Sequence, residues 1–451
     1  MRENNLLTGN IFKSLIKLSI PLMGTAFIQM AYSIVDLMWL GRLSTEAVAA
    51  VGCIGFFMWI AQAASLVSKS GISVLLSQAY GKGESVTSLK IIGRSGLEVN
   101  FIIYLLFLFL YSFFIDDILN FYNLNLEVFT LAREYFIIII IGLIFVFLGP
   151  AISAFYYARG NSITPFKVSV IGLIFNLLVD PIFIFGFGPI EPFGVKGAAI
   201  ATIMAQGLIV FIYLFIGLKN KELYIDFKFF KKPNIKLYID ILKIGLPMGV
   251  QSMIHALVGV KLSSIISSFG ATAIATSSIG SQIESVSWMS AEGFATAFSA
   301  MYGQNYGAKN FKRIRKIRNV CYKILLVTSI ICTSLLILGS KTIFTLFTPN
   351  DLTTISNGIN YLKIIGLTQG FMIFEIGITG MLSGLGITKF PSIISMTFNI
   401  LRIPMSILLI SIFGLNGVWI SISASMALKG IIMFIFYTLI EIRTKGFQKN
   451  M

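Results

Sequence analysis

Histidine and cysteine are almost absent from this chain of 451 residues. It has one histidine, His255, and three cysteines that lie in or beside apolar segments without the spacing of a zinc site. Neither a disulfide framework nor a metal centre is therefore expected. A single histidine, without an HExxH or GxSxG segment, also argues against a metalloprotease or a serine hydrolase. We predict neither an enzyme nor a protein with a resident cofactor.

Charged residues are also scarce, at 12% of the chain, whereas 56% of the residues are hydrophobic and 40 are Phe. A soluble core could not bury that much apolar surface. Apolar stretches of about 20 residues, the length that crosses a bilayer, recur from one end of the chain to the other. The composition therefore predicts an all-α integral membrane protein without a soluble domain.

The apolar stretches predict twelve transmembrane helices. Their predicted ranges are 14–41, 46–78, 92–115, 129–157, 164–187, 194–217, 237–268, 271–303, 316–340, 354–383, 388–412 and 415–441. Several exceed 25 residues, so they must tilt, bend or project from the membrane.

Basic residues are unevenly placed in the breaks between these helices. Most of the 35 Lys and Arg lie at the two ends of the chain and in alternate breaks. Cytoplasmic loops carry such an excess, so we predict a multi-pass protein of the plasma (inner) membrane with both termini in the cytoplasm. The N-terminal residues lack a cleavage site, so the first helix is expected to remain. The basic break at 219–240 predicts contact with anionic lipid, not with nucleic acid, despite a net charge of +16.

The chain resembles itself at a shift of 226 residues. Under this shift, LIKLSIP at 15–21 aligns with ILKIGLP at 241–247, and SQAYGKG at 77–83 aligns with GQNYGAK at 303–309. Slightly smaller shifts align Asn176 with Asn399 and Pro181 with Pro404. The sequence therefore predicts two homologous six-helix halves, residues 1–218 and 237–451, joined by a cytoplasmic linker at 219–236.

An even number of helices gives both halves the same orientation in the membrane. We expect a pseudo-two-fold axis along the membrane normal, as in transporters that place the solute path between two repeats and rock one against the other. Because some channels are also duplicated, the repeat favours a transporter without excluding a channel.

Polar residues inside the predicted helices of the first half cluster at one depth. At about 1.5 Å per residue, Asp36 and Asp180 lie roughly 10 Å, and Thr202 roughly 12 Å, from the outward-facing helix ends. Asn176 and Asp180 are four residues apart and share a helix face, as do Ala198 and Thr202. These five residues form a predicted cation site.

An oxygen-rich site suits a hard cation such as Na⁺, and two neighbouring carboxylates could equally carry a proton. The sequence leaves both coupling ions open. The alternative is that Asp36 and Asp180 only bond neighbouring helices. Against it, their repeat counterparts are Leu262 and Ile403, although an architectural need would recur in both halves.

The second half has its own polar residues inside predicted helices. His255 and Glu284 both lie roughly 20 Å from the outer ends, so they could form a pair. With Lys261 they are a candidate second protonation or cationic-substrate site, and a salt-bridged structural role for Glu284 is equally open. The roles of Lys69, Glu292, Glu375, Arg402 and Lys429 are also left open.

Five segments, in order, resemble the multidrug and toxic compound extrusion (MATE) family. They are VDLMWLGRLSTEAVAAVG at 35–52, FYYARGNSITP at 155–165, NLLVDPIFIFG at 176–186, GVKGAAIAT at 194–202 and GQNYGAKN at 303–310. SQIESVSW at 281–288 is similar to the prokaryotic DinF/NorM-like branch, although Gln282 stands where that branch often has Arg.

The resemblance implies two six-helix lobes around a central cavity, alternating access, and export of organic, often cationic compounds in exchange for Na⁺ or H⁺. It places the family's acidic position of the first helix on Asp36 and its other cation-site positions on Asn176, Asp180 and Thr202. We expect a monomer whose partners are a small organic substrate and membrane lipid. The alternative is a lipid-linked oligosaccharide flippase of the same superfamily.

Overall fold

The computed structural model describes residues 6–219, 229, 230, 232–349 and 351–447. Its helices are α1 Ile11–Leu43, α2 Thr45–Lys82, α3 Val86–Phe113, α4 Ile115–Asn120, α5 Leu126–Ala158, α6 Ile163–Phe185, α7 Val195–Lys219, α8 Ile235–Ser267, α9 Ala271–Gly307, α10 Phe311–Phe347, α11 Leu352–Gly384, α12 Lys389–Phe413 and α13 Leu415–Phe447. All twelve predicted helices are present, and the short α4 is an additional one.

Hydrophobicity alone underestimates several helix lengths. The basic segment at the start of α10 was predicted as a loop, but Asn310 caps it by accepting a hydrogen bond from the amide of Arg313 at 3.2 Å. This part of α10 is helical although too polar for lipid, so it projects from the apolar layer. Apolar runs mark the membrane-embedded part of a helix, and capping residues mark where it begins.

Eleven helices in the described part of the chain are long and apolar enough to cross a membrane. The remaining long helix, α9, is rich in Ser, Thr, Ala and Gly and carries two glutamates. It lies between α1, α2, α10 and α11, so protein covers most of it. This position explains how a less apolar helix sits within the bundle.

The helix pairings of the first half recur in the second. The first set is α1 with α6, α2 with α5, α3 with α5, α5 with α7, and α6 with α7. The second set is α8 with α12, α9 with α11, α10 with α11, α11 with α13, and α12 with α13. The two halves are therefore two lobes of one fold, and the contacts between them, α2 with α8 and α1 with α9, are reciprocal as well.

The lobes meet most closely where α2 and α9 end. A Cβ added to Gly81 would lie 1.8 Å from the carbonyl oxygen of Gln304, and one added to its repeat counterpart Gly307 would lie 2.0 Å from that of Gln78. The Gln78 side-chain amide donates to the carbonyl of Gly384 at 3.0 Å, and the Gln304 amide donates to that of Ala158 at 2.7 Å. This contact, the α2–α9 seal, closes the end of the bundle that holds the start of α1.

Toward the other end, the helices at the lobe boundary diverge. Gly71 of α2 and Gly245 of α8 lie against backbone atoms of the opposite lobe, whereas Gly52 and Gly55 of α2 and Gly259 of α8 have no atom within 4 Å of an added Cβ. The structure is therefore closed at one end and open between the lobes at the other.

Polar contacts fasten the described end of the interlobe linker to α3. The fully buried Glu98 carboxylate accepts the backbone N–H of Phe230 at 2.7 Å and the hydroxyl of Tyr238 at 2.6 Å. Arg94 lies 3.6 Å from that carboxylate and donates to the carbonyl of Lys232 at 2.9 Å. These contacts hold the start of the second lobe on the first.

We expect Glu98→Gln to lower the melting temperature of the purified protein clearly. The variant leaves the Arg94 guanidinium without its counter-charge and turns one acceptor into a donor, and breaking a buried pair costs about 3–5 kcal/mol. The control is Glu134→Gln, which removes an exposed ion pair with Lys196 at 2.9 Å of a kind that contributes at most about 1 kcal/mol. Equal shifts in the two variants, measured by intrinsic fluorescence, would contradict the role given to Glu98.

Candidate cation site in the first lobe

The structure brings together four of the five residues predicted as a cation site. Asp36 on α1 interacts through its carboxyl group with the side chains of Asp180, Asn176 and Thr202. Asn176 and Asp180 lie one turn apart on α6, are fully buried, and are joined by a hydrogen bond from the Asn176 amide to an Asp180 oxygen at 2.9 Å. The shared depth in the sequence thus corresponds to a shared place in the fold.

Ala198 lies one turn before Thr202 on α7 and is 2% exposed, within the apolar cluster of the first lobe. Its methyl group offers no ligand, and its backbone carbonyl lies inside the helix, where the amide of Thr202 follows four residues later. Ala198 therefore packs beside the site, and the polar contribution of α7 is the Thr202 hydroxyl.

Oxygen atoms of this site are buried without a hydrogen-bond partner among the described residues. They are the Tyr32 hydroxyl, Asp36 Oδ1, Asn176 Oδ1, Asp180 Oδ2 and the Thr202 hydroxyl. Leaving a buried polar group unsatisfied costs about 1–3 kcal/mol, so native folds seldom retain several together. Such a set fits a site that is completed by a bound ion or proton.

Pro181 adds a further acceptor on α6. It lies inside the helix and has no N–H, so the carbonyl of Leu177 lacks its usual partner four residues later. The proline of the repeat, Pro404, keeps this feature on α12. The local backbone is therefore common to both lobes, whereas the carboxylates occur in the first lobe only.

Two tyrosines that sequence analysis did not include face the acidic pair. The hydroxyls of Tyr32 on α1 and Tyr135 on α5 both lie close enough to Asp36 and Asp180 to interact electrostatically. Space for Tyr32 comes from Gly172, where a Cβ would lie 2.6 Å from the tyrosine hydroxyl. Tyr32 stands one helical turn before Asp36, a spacing that could have identified it; the sequence gave no comparable signal for Tyr135.

The charge of the acidic pair has no basic partner in its surroundings. The side chains that interact with Asp36 and Asp180 are Asn, Thr, Tyr and each other. Two carboxylates in contact cannot both stay ionised without a compensating positive charge. Within the described residues no three His, Cys, Asp or Glu side chains gather into a metal-binding group. Two carboxylates with neutral oxygens suit a small hard cation or a proton.

The second-lobe candidates are not brought together as expected. Glu284 on α9 accepts a hydrogen bond from Tyr361 at 3.1 Å, while the imidazole of His255 on α8 contacts Asn399 at 3.5 Å and the Trp59 ring. The proposed pair of His255 and Glu284 is therefore wrong: equal depth did not fix the direction in which each helix presents its side chain.

Lys261, the third second-lobe candidate, is exposed on α8 and is the counterpart of Val35 in the first lobe at the shift of 226. Lys69 on α2, for which the sequence suggested no partner, interacts electrostatically with Glu292 on α9. That contact crosses the boundary between the lobes. A group on each lobe could not have been paired from the pattern of either helix alone.

Comparison with known proteins agrees with this fold. The MatE family model matches the chain twice, at residues 21–182 and 247–408, and the two matches start 226 residues apart. The probable multidrug resistance protein NorM of Thermotoga maritima is 26% identical over 95% of this chain and 92% of its own length. The multidrug export protein MepA of Staphylococcus haemolyticus is 24% identical, over 96% and 94%. A crystal structure of MATE in the bent conformation superimposes with a TM-score of 0.89 at 22% identity, covering 100% of this chain and 99% of the other.

Proposed function

Because this chain belongs to the MatE family of membrane transport proteins, we propose that it exports organic, cationic or amphipathic compounds in exchange for Na⁺ or H⁺. The observation that carries the proposal is the set of unpartnered buried oxygens around Asp36 and Asp180. An acidic site without a resident counter-charge must take one up, which is what a coupling ion provides. Relatives named for multidrug resistance and multidrug export support the choice of cargo.

The proposed cycle is alternating access by the two lobes, residues 1–218 and 237–451, joined by the linker at 219–236. With both termini in the cytoplasm of a cell whose inner membrane holds the protein, the α2–α9 seal closes the cytoplasmic side and the opening between the lobes faces outward. Binding of the cation and binding of the organic substrate compete, so inward movement of one drives outward movement of the other. One chain contains both lobes, and we propose that it works as a monomer.

The choice between Na⁺ and H⁺ is decided by transport in proteoliposomes with the two gradients imposed separately. A fluorescent organic cation is loaded, and its loss is followed after a Na⁺ gradient, a pH gradient or neither is applied. We expect loss to accelerate with one of the two gradients and not in protein-free vesicles. Transport that ignores both gradients would contradict ion coupling and favour the flippase alternative.

A further inference from the structure

A buried lysine on α13 lies where the second lobe repeats part of the cation site. The Lys429 ammonium donates to Asn399 Oδ1 at 3.2 Å and lies 3.6 Å from a Glu375 carboxylate oxygen, and all three side chains are at most 5% exposed. Ser395 donates to the other oxygen of Glu375. The ammonium is therefore held by oxygen ligands, as a small cation would be.

The repeat places this contact at the counterpart of the first-lobe site. Asn399 aligns with Asn176, whose Oδ1 is buried and unpartnered, whereas the same atom of Asn399 is occupied by Lys429. The position of Lys429 aligns with Ile209, which packs against Gly172 beside the Tyr32 hydroxyl. An apolar side chain beside an open oxygen site in one lobe thus corresponds to a lysine that fills the site in the other.

Charge in the second lobe is balanced without an external ion. Two buried carboxylates, Glu284 and Glu375, interact with two buried cations, Arg402 and Lys429. Arg402 is further fixed by donating to Ser425 at 2.6 Å. In the first lobe the corresponding balance is missing, because no basic side chain interacts with Asp36 or Asp180.

We propose that the Lys429 ammonium is a tethered substitute for the coupling cation, so that the second lobe is permanently loaded and only the first lobe exchanges an ion. This inference rests on the proposed function, because it concerns which lobe takes up the ion. It follows that removing the lysine charge uncovers a latent Na⁺ site formed by Glu375 and Asn399, since the buried carboxylate then needs another positive partner.

The test is equilibrium binding of ²²Na⁺ to purified protein, with choline chloride keeping the ionic strength constant. Lys429→Met removes the charge at nearly constant volume and is expected to bind about one Na⁺ per chain more than the parent. The additional Na⁺ should disappear in Lys429→Met with Glu375→Gln, persist in Lys429→Met with Asp36→Asn, and be absent from the charge-conserving Lys429→Arg. A Lys429→Met protein that binds no more Na⁺ than the parent overturns the proposal.

The same experiment separates this inference from the proposed function. Na⁺ binding by the parent and its loss in Asp36→Asn test the first-lobe site, whereas the gain in Lys429→Met is counted from whatever the parent binds. A proton-coupled parent that binds no Na⁺ therefore still allows the gain to be measured.

A reciprocal variant covers the case in which Lys429→Met does not fold. Ile209→Lys places an ammonium at the repeat position in the first lobe and is expected to abolish the exchange of the coupling ion by filling its site. For a Na⁺-binding parent this is loss of bound ²²Na⁺, and for a proton-coupled parent it is loss of proton release on addition of an organic cation. A folded Ile209→Lys protein that exchanges the ion as the parent does would contradict the proposal.

Discussion

Asp36→Asn is expected to reduce gradient-driven efflux to the rate of protein-free vesicles while the protein still folds. Its carboxyl group contacts Asp180, Asn176 and Thr202, on two other helices, and an amide of the same shape keeps the packing but supplies no negative charge. Without that charge the site has no need of a cation, so a gradient of Na⁺ or H⁺ can no longer be coupled to the substrate. The measurement is efflux from proteoliposomes under the driving gradient identified for the parent.

The matched control for this variant is Asp116→Asn. It makes the same chemical change at an exposed ion pair with Arg133 at 2.7 Å, outside the lobe interior, and should transport as the parent does. Melting temperature and gel filtration of both variants show whether either is misfolded. Efflux by Asp36→Asn at the parent rate would remove Asp36 from the coupling site.

The second large effect is expected from Gly81→Ala in the α2–α9 seal. The added Cβ would lie 1.8 Å from a backbone oxygen of Gln304, and backbone, unlike the end of a flexible side chain, cannot turn aside. Overpacking costs about 1–3 kcal/mol, which shifts a two-state population by roughly 5- to 150-fold. We expect the lobes to separate at this end and transport to fall by a comparable factor.

The separation can be measured as the distance between spin labels on the two lobes. Lys90→Cys on α3 and Lys312→Cys on α10 provide exposed positions near the seal, in a protein whose three native cysteines have been replaced. Gly81→Ala should lengthen the mean distance. Gly55→Ala, on the same helix but with no atom within 4 Å of the new Cβ, should not. An unchanged distance in Gly81→Ala would show that the seal tolerates the clash.

Much of the fold could be predicted because lipid imposes one simple rule on the sequence. Each helix needs an apolar stretch of about 20 residues, and the shift of 226 residues announced the duplication before any contact was known. What hydrophobicity did not show is where helices extend into water. The start of α10 at Phe311 depends on the cap by Asn310, which is a local hydrogen bond and not a property of an apolar run.

The candidate site was predictable where two simple rules agreed. Asn176 and Asp180 share a helix face because they are four residues apart, and the depth of Asp36 placed it in the same layer. Depth alone misled for His255 and Glu284, whose helices present them to Asn399 and Tyr361. Rotation about a helix axis is set by packing against neighbours, which a single sequence does not display.

The central claim is that the oxygens around Asp36 and Asp180 hold a cation which the organic substrate displaces. It is tested most directly by adding a saturating organic cation to the purified transporter in weakly buffered solution and following Na⁺ with an ion-selective electrode and H⁺ with a pH electrode. The account predicts release of one of these ions from the parent, about one per chain, and none from Asp36→Asn. Substrate binding that releases neither ion, or equal release from Asp36→Asn, would contradict it.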